Sequence, residues 1–527
     1  MAVQPVLIDG QWRAAAASGT FRAENPATGE AHEQQYPISQ WADVDAALNA
    51  AVDAAEKLRG TAPAAIAHFL TRFAERIEAR AEELSKVANS ESGLAVAPRL
   101  QNVELPRTCT QLRQAAAAVL EGSWSLPTID TKNGIRSYLA GIGPVAVFGP
   151  NNFPFAFNSA AGGDFAAAIV AGCPVIAKAN TSNPRTTQLL AEEAFAALTE
   201  AKLPPATVQL IYRTSHQDGS RFVADPRVGA CAYTGSRHAG LTLKAAADAA
   251  GKPIYLELSS VNPVLILPGA LTERFQKVVD EFVDSSLMGA GQFCTNPSVV
   301  MLKEGDSAEK FIQAVKEKFD ARPVAPLLST NVCKSLGASV QTLQKAGAKL
   351  VTGGSQAQGP GYRFTHTLLR VEGEVFLAHA EALQTEAFGN AALIVTVRDP
   401  SQWAAILNKL EGNLTGCVYS DTAGSDDALY DALAPILRTR VGRLLNDKMP
   451  TGVALSPGMN HGGPYPSTGH PGFTAVGIPA SVRRFGMLQS FDAVRPHRLP
   501  ALLANKNPTG KTWRLIDGNW TQSDVPA

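Results

Sequence analysis

The chain has 527 residues, 47 basic and 47 acidic, and a formal net charge of zero. That balance argues against nucleic acid or an anionic membrane surface as its partner, and the length allows two or three domains around sizeable cores. At 45% hydrophobic and 18% charged, it has the composition of a globular protein, with no apolar run of the roughly 18 residues a membrane helix needs.

The first segment, MAVQPVLIDG, has neither the basic nor the apolar region of a secretory leader, so a cytoplasmic location is expected. Residues 7–12 read LIDGQW, an Asp-Gly turn between apolar arms, and LIDGNW recurs at 515–520; both predict hairpins. Helical periodicity then runs over 41–87, and a second helix is expected at 105–120. TIDTKNGIRSYLA, from Thr128, predicts another hairpin with its turn at Lys132-Asn133-Gly134.

From Gly143 strands and helices alternate. PVAVFG, PVIAKA, VQLIY, VGACAYTG and PIYLEL read as strands, with helices at 184–198 and 236–249 and an Ala-rich helix ending at Gly172. This rhythm predicts a parallel, doubly wound sheet with a nucleotide-binding edge, although no GxGxxG is present. A second α/β run begins near Asn262 with PVLILPG, SVVMLKE and FIQAVKEKF and is expected to reach about Phe485.

The six cysteines, at 109, 173, 231, 294, 333 and 417, are scattered without a CxxC pair. This excludes a zinc knuckle and argues against a disulfide framework. Five of them read as small buried hydrophobes. Cys294 differs. It lies in GAGQFCTNP, a turn-forming stretch after an apolar helical run, with small residues that leave room for a substrate. Upstream, in IYLELSSVNP, Glu257 stands between leucines. A thiol nucleophile and a carboxylate base are a minimal kit for forming and hydrolysing a thioester. In isolation each also reads as structural, a buried cysteine and a salt-bridged strand-end glutamate.

GPVAVFGPNNFPFAF, YTGS, LELSSVNP, GQFCTNP and EAFGN occur in the order found in NAD(P)-dependent aldehyde dehydrogenases, and the resemblance runs from about residue 5 to beyond 485. Within that superfamily ESGL, VLEGSW, ELSSVNPV, GQFCTNP, LEGNLT and HGGPYPST are most similar to the α-ketoglutaric semialdehyde (2,5-dioxovalerate) and long-chain aldehyde dehydrogenase branch. The resemblance implies two doubly wound α/β domains plus a small β oligomerisation hairpin. Residues 1–126 and 146–262 would form the cofactor domain and 263–487 the catalytic domain. Segments 127–145 and 488–527 would bridge subunits of a homodimer or homotetramer.

Carried onto this chain, the resemblance makes Cys294 the nucleophile, Glu257 the general base and Asn152, directly before Phe-Pro, the oxyanion donor. Asn152 alone would read as a turn asparagine. Lys178 ends a strand at the sheet's ligand edge, within reach of an adenosine ribose or its phosphate. Gly235 and Ser236 open a helix whose free N–H groups suit a pyrophosphate, and Ser236 also reads as a simple N-cap. Glu386 and Phe388 match the residues that hold the nicotinamide ribose and flank its ring. Thr181 replaces a glutamate found in many NAD-selective relatives, which points to NADP, with NAD also possible; Arg213 or His216 would close over the 2′-phosphate. Phe157 and Ala160, on the family's channel helix, and Phe293 are expected to line the substrate channel. Arg107 and Arg113 are candidates for reading a carboxylated substrate. His461 and His470 lie in the loop bordering the substrate mouth, but no third ligand at suitable spacing accompanies them, so no metal is expected.

The expected substrate is a small-molecule aldehyde, such as α-ketoglutaric semialdehyde or a long aliphatic aldehyde. A CoA-acylating enzyme, a binding protein on the same fold and an esterase side activity are the competing readings. Glu257 argues against the first, because CoA as acceptor needs no water-activating base. Cys294, Asn152, Glu257, Lys178 and Glu386 together argue against the second.

Overall fold

A computed structural model of the protein describes residues 3–526. Its centre is two seven-stranded sheets. In the first, the strands Ile254–Glu257, Ala230–Thr234, Val145–Phe148, Val175–Lys178 and Val208–Ile211 lie side by side in parallel. The hairpin Val6–Ile8 and Gln11–Arg13 closes one edge in antiparallel register. The strands read as continuous apolar runs because helices cover both faces, as parallel sheets require. Chain order reverses beside Val145–Phe148, so the loops after that strand and its neighbours open at the switch point where such sheets bind ligands.

The second sheet runs Lys349–Thr352, Thr367–Glu372, Ala391–Val397, Val299–Lys303, Val264–Ile266, Asn413–Tyr419 and Val441–Asn446. All its pairs are parallel except the first. Its last strand ends at Asn446, short of the expected Phe485. The chain then returns, and Phe473, Ala475, Val476, Val482 and Phe485 pack into the core of the first sheet. Among the described residues, no helix is long and apolar enough to cross a membrane.

Both Asp-Gly hairpins form, and for the same reason. Asp9 and Gly10, like Asp517 and Gly518, take positive φ at both central positions, the geometry that lets a two-residue loop follow the strands' twist. The strands Thr128–Asp130 and Ile135–Gly141 form the predicted third hairpin. It joins a five-stranded sheet with Gly486–Asp492, Arg514–Ile516 and Asn519–Thr521 of the same chain. The long helical tract is three helices, Trp41–Arg59, Pro63–Ala79 and Ala81–Ser92. Pro63 has no N–H to donate and starts the second, so the first must end before it.

Candidate active site

Cys294 is held on a turn that only small residues permit. Gly289, Ala290 and Gly291 all take left-handed φ. A Cβ on Gly291 would collide with the Gly389 carbonyl of the TEAFGN segment, so the two motifs press against each other through bare backbone. Gln292 fixes the turn further, its Nε2 donating to Gly289 O at 3.0 Å and its Oε1 accepting from Leu328 N at 2.8 Å. Asn262, from the LSSVNP stretch, donates from one Nδ2 to the carbonyls of Cys294 and Asn296, both at 2.9 Å. The segment that carries Glu257 is thereby tied to the segment that carries the thiol.

Glu257 ends its strand fully buried. The loop that starts at His461 lies along this edge: Leu258 N donates to Ser467 O at 2.8 Å and Gly469 N to Leu256 O at 3.2 Å. That pairing brings His461 between the two expected catalytic groups. Its Nε2 is 2.9 Å from Glu257 Oε1 and 3.4 Å from Cys294 Sγ. Glu257 Oε2 is buried without a hydrogen-bond partner. Sequence spacing found no third ligand beside the loop histidines. The fold supplies it from far away in the chain, since the donor atoms of Glu257, Cys294 and His461 all lie within 4.8 Å of one another. His470 stays outside this group, packed on Tyr255 at 5.1 Å between ring centroids. The one sequence signal for His461 was its place in HGGPYPST.

Burial, and after it the Glu257 charge, push the Cys294 thiol well above the ordinary thiol range, although the side chain keeps some exposed surface. Removing its proton therefore needs an acceptor close by, and His461 and Glu257 are the ones at hand.

Asn152 reaches the same turn. Its Nδ2 donates to Gln292 O at 3.0 Å, two residues before Cys294, rather than to Cys294 itself. Buried Glu104 holds the loop that follows Asn152 by accepting from Phe155 N and Ala156 N at 2.8 and 2.9 Å. Phe153, Phe157 and Phe293 make an aromatic wall, with the Phe153 centroid 5.3 Å from Phe157 and 5.2 Å from Phe293, and the Phe157 ring lies tilted 5.5 Å from the His461 ring. Ala160 departs from expectation. It has no exposed surface and belongs to the core of the first sheet, and both it and Phe157 precede the helix, which begins only at Gly163.

The two candidate arginines separate. Arg113 forms an exposed ion pair with Glu78 and plays no part here. Arg107 lies over the Phe157 ring at 5.8 Å, donates to Val453 O, and keeps Nε and Nη2 without a partner. Sequence reasoning missed Arg443. Its Nη2 donates to Pro450 O and Gly452 O at 2.8 and 3.1 Å, and Gly452 N in turn donates to Thr295 Oγ at 3.2 Å. Burial lowers both guanidinium pKa values; Glu104 and then a charge on Cys294 oppose it at Arg107, and a charge on Cys294 opposes it at Arg443. Both stand near the thiol with no carboxylate paired to them.

At the first sheet's edge, Lys178 is held down to about 8 by burial and then by the Arg213 charge. Two cations close together without a carboxylate between them fit an anionic group. Thr181 follows in the next turn, partly exposed; Arg213, on the short strand Arg213–Thr214, and His216, first in the helix His216–Ala224, are exposed. The Gly235 N–H departs from the expectation of a free donor, because it donates to Glu257 O at 3.1 Å. Ser236 caps the helix Arg237–Ala249 by accepting from Ala239 N. Glu386 is raised to about 7, chiefly by burial and opposed by a bond from Ser259. It borders a cavity of about 660 Å³ shared with Arg237, Ser260, Glu411 and Asn413, within the size range of small-molecule and cofactor sites. Phe388 packs partly buried against the first core.

Residues 12–435 match the model of the aldehyde dehydrogenase family. The chain is 35% identical to α-ketoglutaric semialdehyde dehydrogenase 2 of Azospirillum brasilense, covering 97% of this chain and 98% of that one. It is 33% identical to the α-ketoglutaric semialdehyde dehydrogenase of Acinetobacter baylyi, covering 98% of each. Among solved structures it is similar to a mutant of aldehyde dehydrogenase C from Pseudomonas syringae in complex with NAD+ and octanal. That match has a TM-score of 0.79 and 22% identity, over 94% of this chain and 98% of that one. It is likewise similar to the NAD+ complex of a Bacillus cereus aldehyde dehydrogenase, with a TM-score of 0.80 and 20% identity over 94% and 97%. The chain therefore belongs to the aldehyde dehydrogenase family and is an NAD(P)-dependent enzyme of aldehyde oxidation.

Proposed function

We propose that this enzyme oxidises a semialdehyde carrying a distal carboxylate, such as α-ketoglutaric semialdehyde, to the dicarboxylic acid, with NADP preferred over NAD. The observation that carries the reading is the meeting of Cys294, His461, Glu257 and Asn152 at one turn, with Arg107 and Arg443 unpaired beside it. The two relatives named as α-ketoglutaric semialdehyde dehydrogenases support the substrate class.

His461 Nε2, 3.4 Å from Cys294 Sγ, takes the thiol proton and passes it toward Glu257 Oε1, 2.9 Å away. The thiolate adds to the aldehyde carbon. The oxyanion so formed is met by Asn152, whose amide has a second N–H besides the one given to Gln292, and by backbone N–H groups of the turn. Such donors contribute about 3 kcal/mol each at the transition state. When bound, the nicotinamide supplies the hydride acceptor that leaves a thioester on Cys294. Glu257 Oε2 then takes a proton from water for its hydrolysis, a role that suits an oxygen free of other partners. Lys178, Thr181, Arg213 and His216 would hold the adenosine side with its 2′-phosphate, Gly235 and Ser236 the pyrophosphate, and Glu386 and Phe388 the nicotinamide riboside. Phe157 and Phe293 shape the channel. The first sheet then serves as the cofactor domain and the second as the catalytic one, and the five-stranded sheet as the bridge between subunits of a homodimer or homotetramer.

The test is a panel of aldehydes of equal chain length with and without a terminal carboxylate, each assayed with NADP and NAD and with or without CoA. The expected result is the highest kcat/KM for a carboxylated semialdehyde with NADP and no dependence on CoA. Equal rates for carboxylated and neutral aldehydes would refute the substrate class. A requirement for CoA would replace hydrolysis with acyl transfer.

A further inference from the structure

We propose that Cys294, His461 and Glu257 together form a binding site for a thiophilic divalent cation, zinc or cadmium, which reversibly silences the enzyme. The site offers one sulfur, one imidazole nitrogen and one carboxylate oxygen from three separate segments of the chain, all within 4.8 Å of one another. Tetrahedral zinc at ordinary bond lengths sets such donors about 3.3–3.6 Å apart. The observed spacings of 3.4 Å from Sγ to Nε2 and 2.9 Å from Nε2 to Oε1 need only small shifts to reach that.

A second observation points the same way. Glu257 Oε2 is buried with no hydrogen-bond partner, and His461 and Glu257 are each only 1% exposed, so the carboxylate has unused donor capacity among buried ligands. Cys294 alone keeps exposed surface, which provides the entry path and an open fourth position for water. Sulfur and imidazole select zinc or cadmium over magnesium or calcium, which prefer oxygen cages.

Binding breaks the S–H bond of Cys294, forms a sulfur–metal bond and releases the thiol proton to solvent; His461 coordinates through an unprotonated Nε2. No electrons are transferred. The other charged groups facing the site are Glu386, Arg107 and Arg443. The bound cation removes the nucleophile from reaction, so inhibition is competitive with aldehyde and a chelator reverses it.

The test titrates chelator-treated full-length enzyme with cadmium and follows the ultraviolet thiolate-to-cadmium charge-transfer band, with zinc as the displacing ion. The expected result is one metal per chain with release of a proton. The band disappears in Cys294→Ala, and affinity falls by roughly tenfold or more in His461→Phe, His461→Gln and Glu257→Gln. NADP binding by each variant confirms that it has folded. A band kept in Cys294→Ala, or an affinity unchanged in all three other variants, would overturn the site by assigning the metal to another cysteine or to the thiol alone. The binding measurement does not depend on the proposed reaction. If the metal binds as expected and turnover persists, the silencing is overturned, and Cys294 as nucleophile fails with it.

Discussion

His461 Nε2 stands 2.9 Å from Glu257 Oε1 and 3.4 Å from Cys294 Sγ, so a single ring nitrogen touches both the thiol and the base. The thiol lies in surroundings that oppose its ionisation, and the carboxylate that helps hydrolysis is one of the opposing groups. In the proposed reaction the imidazole between them would resolve this conflict by accepting the thiol proton.

Replacing His461 with phenylalanine keeps the ring's contact with Phe157 and removes the proton acceptor. Alkylation of Cys294 by iodoacetamide should then require higher pH than in wild type, because burial and Glu257 still raise the thiol and no imidazole takes its proton. The rate of cofactor reduction in the first turnover should fall by roughly 10²–10⁴-fold, the usual worth of a positioned acid–base group. His461→Gln, which can donate but not shuttle a proton, should recover little of it. An unshifted alkylation profile would remove His461 from thiol activation.

Glu257→Gln should separate the two halves of the reaction. Formation of the thioester still has His461, whereas hydrolysis loses the oxygen that accepts the water proton. Rapid mixing should show a burst of about one reduced cofactor per active site followed by very slow turnover. The burst will be smaller than one if Glu257 also helps draw the proton from Cys294 through His461. A steady-state rate equal to wild type would exclude it as the base. Cys294→Ala should lose all but a few per cent of turnover and still bind cofactor, because the residues proposed for its adenosine side and pyrophosphate, Lys178, Thr181 and Ser236 among them, lie at the first sheet.

The alternating strand and helix pattern was legible because parallel strands buried on both faces must be apolar throughout, and PVAVFG and PIYLEL are. Cys294 and Glu257 were legible because their motifs are local. His461 was not, since its position depends on the loop lying along the strand at Glu257, as Gly469 and Leu258 show, and no spacing in the sequence encodes that contact. Arg443 was missed for the same reason, as its partners are loop carbonyls at Pro450 and Gly452. Ala160 was misplaced because a family position fixes a residue's place in the chain and not whether its side chain reaches the channel. The break before Pro63 could have been read from the proline. The break at Arg80 carried no comparable signal.

Arg443→Met and Arg107→Met test the carboxylate reading. A hydrogen bond to a charged group contributes about 1.5–3 kcal/mol, so each variant should raise KM for a carboxylated semialdehyde roughly 10- to 150-fold. A neutral aldehyde of the same length should change little, which controls for disturbance of the loop that Arg443 holds. Equal losses for both substrates would mean that the arginines only support the loop.

In the proposed reading, cofactor choice rests on Lys178 and Thr181. A glutamate at 181 would place a carboxylate beside a 2′-phosphate carrying up to two negative charges, while the same carboxylate could accept hydrogen bonds from the ribose hydroxyls of NAD. Thr181→Glu should therefore lower kcat/KM for NADP far more than for NAD. The pH dependence has a definite sign. Lys178 titrates near 8 in the free protein, and only its protonated form attracts phosphate. NADP affinity should accordingly weaken as pH rises through about 8, with proton uptake on binding above that point, while NAD, lacking the phosphate, should show a shallower dependence. Calorimetric titration in buffers of different ionisation enthalpy reads the proton uptake directly. A wild-type preference for NAD, or the same pH profile for both cofactors, would place the 2′-phosphate away from Lys178.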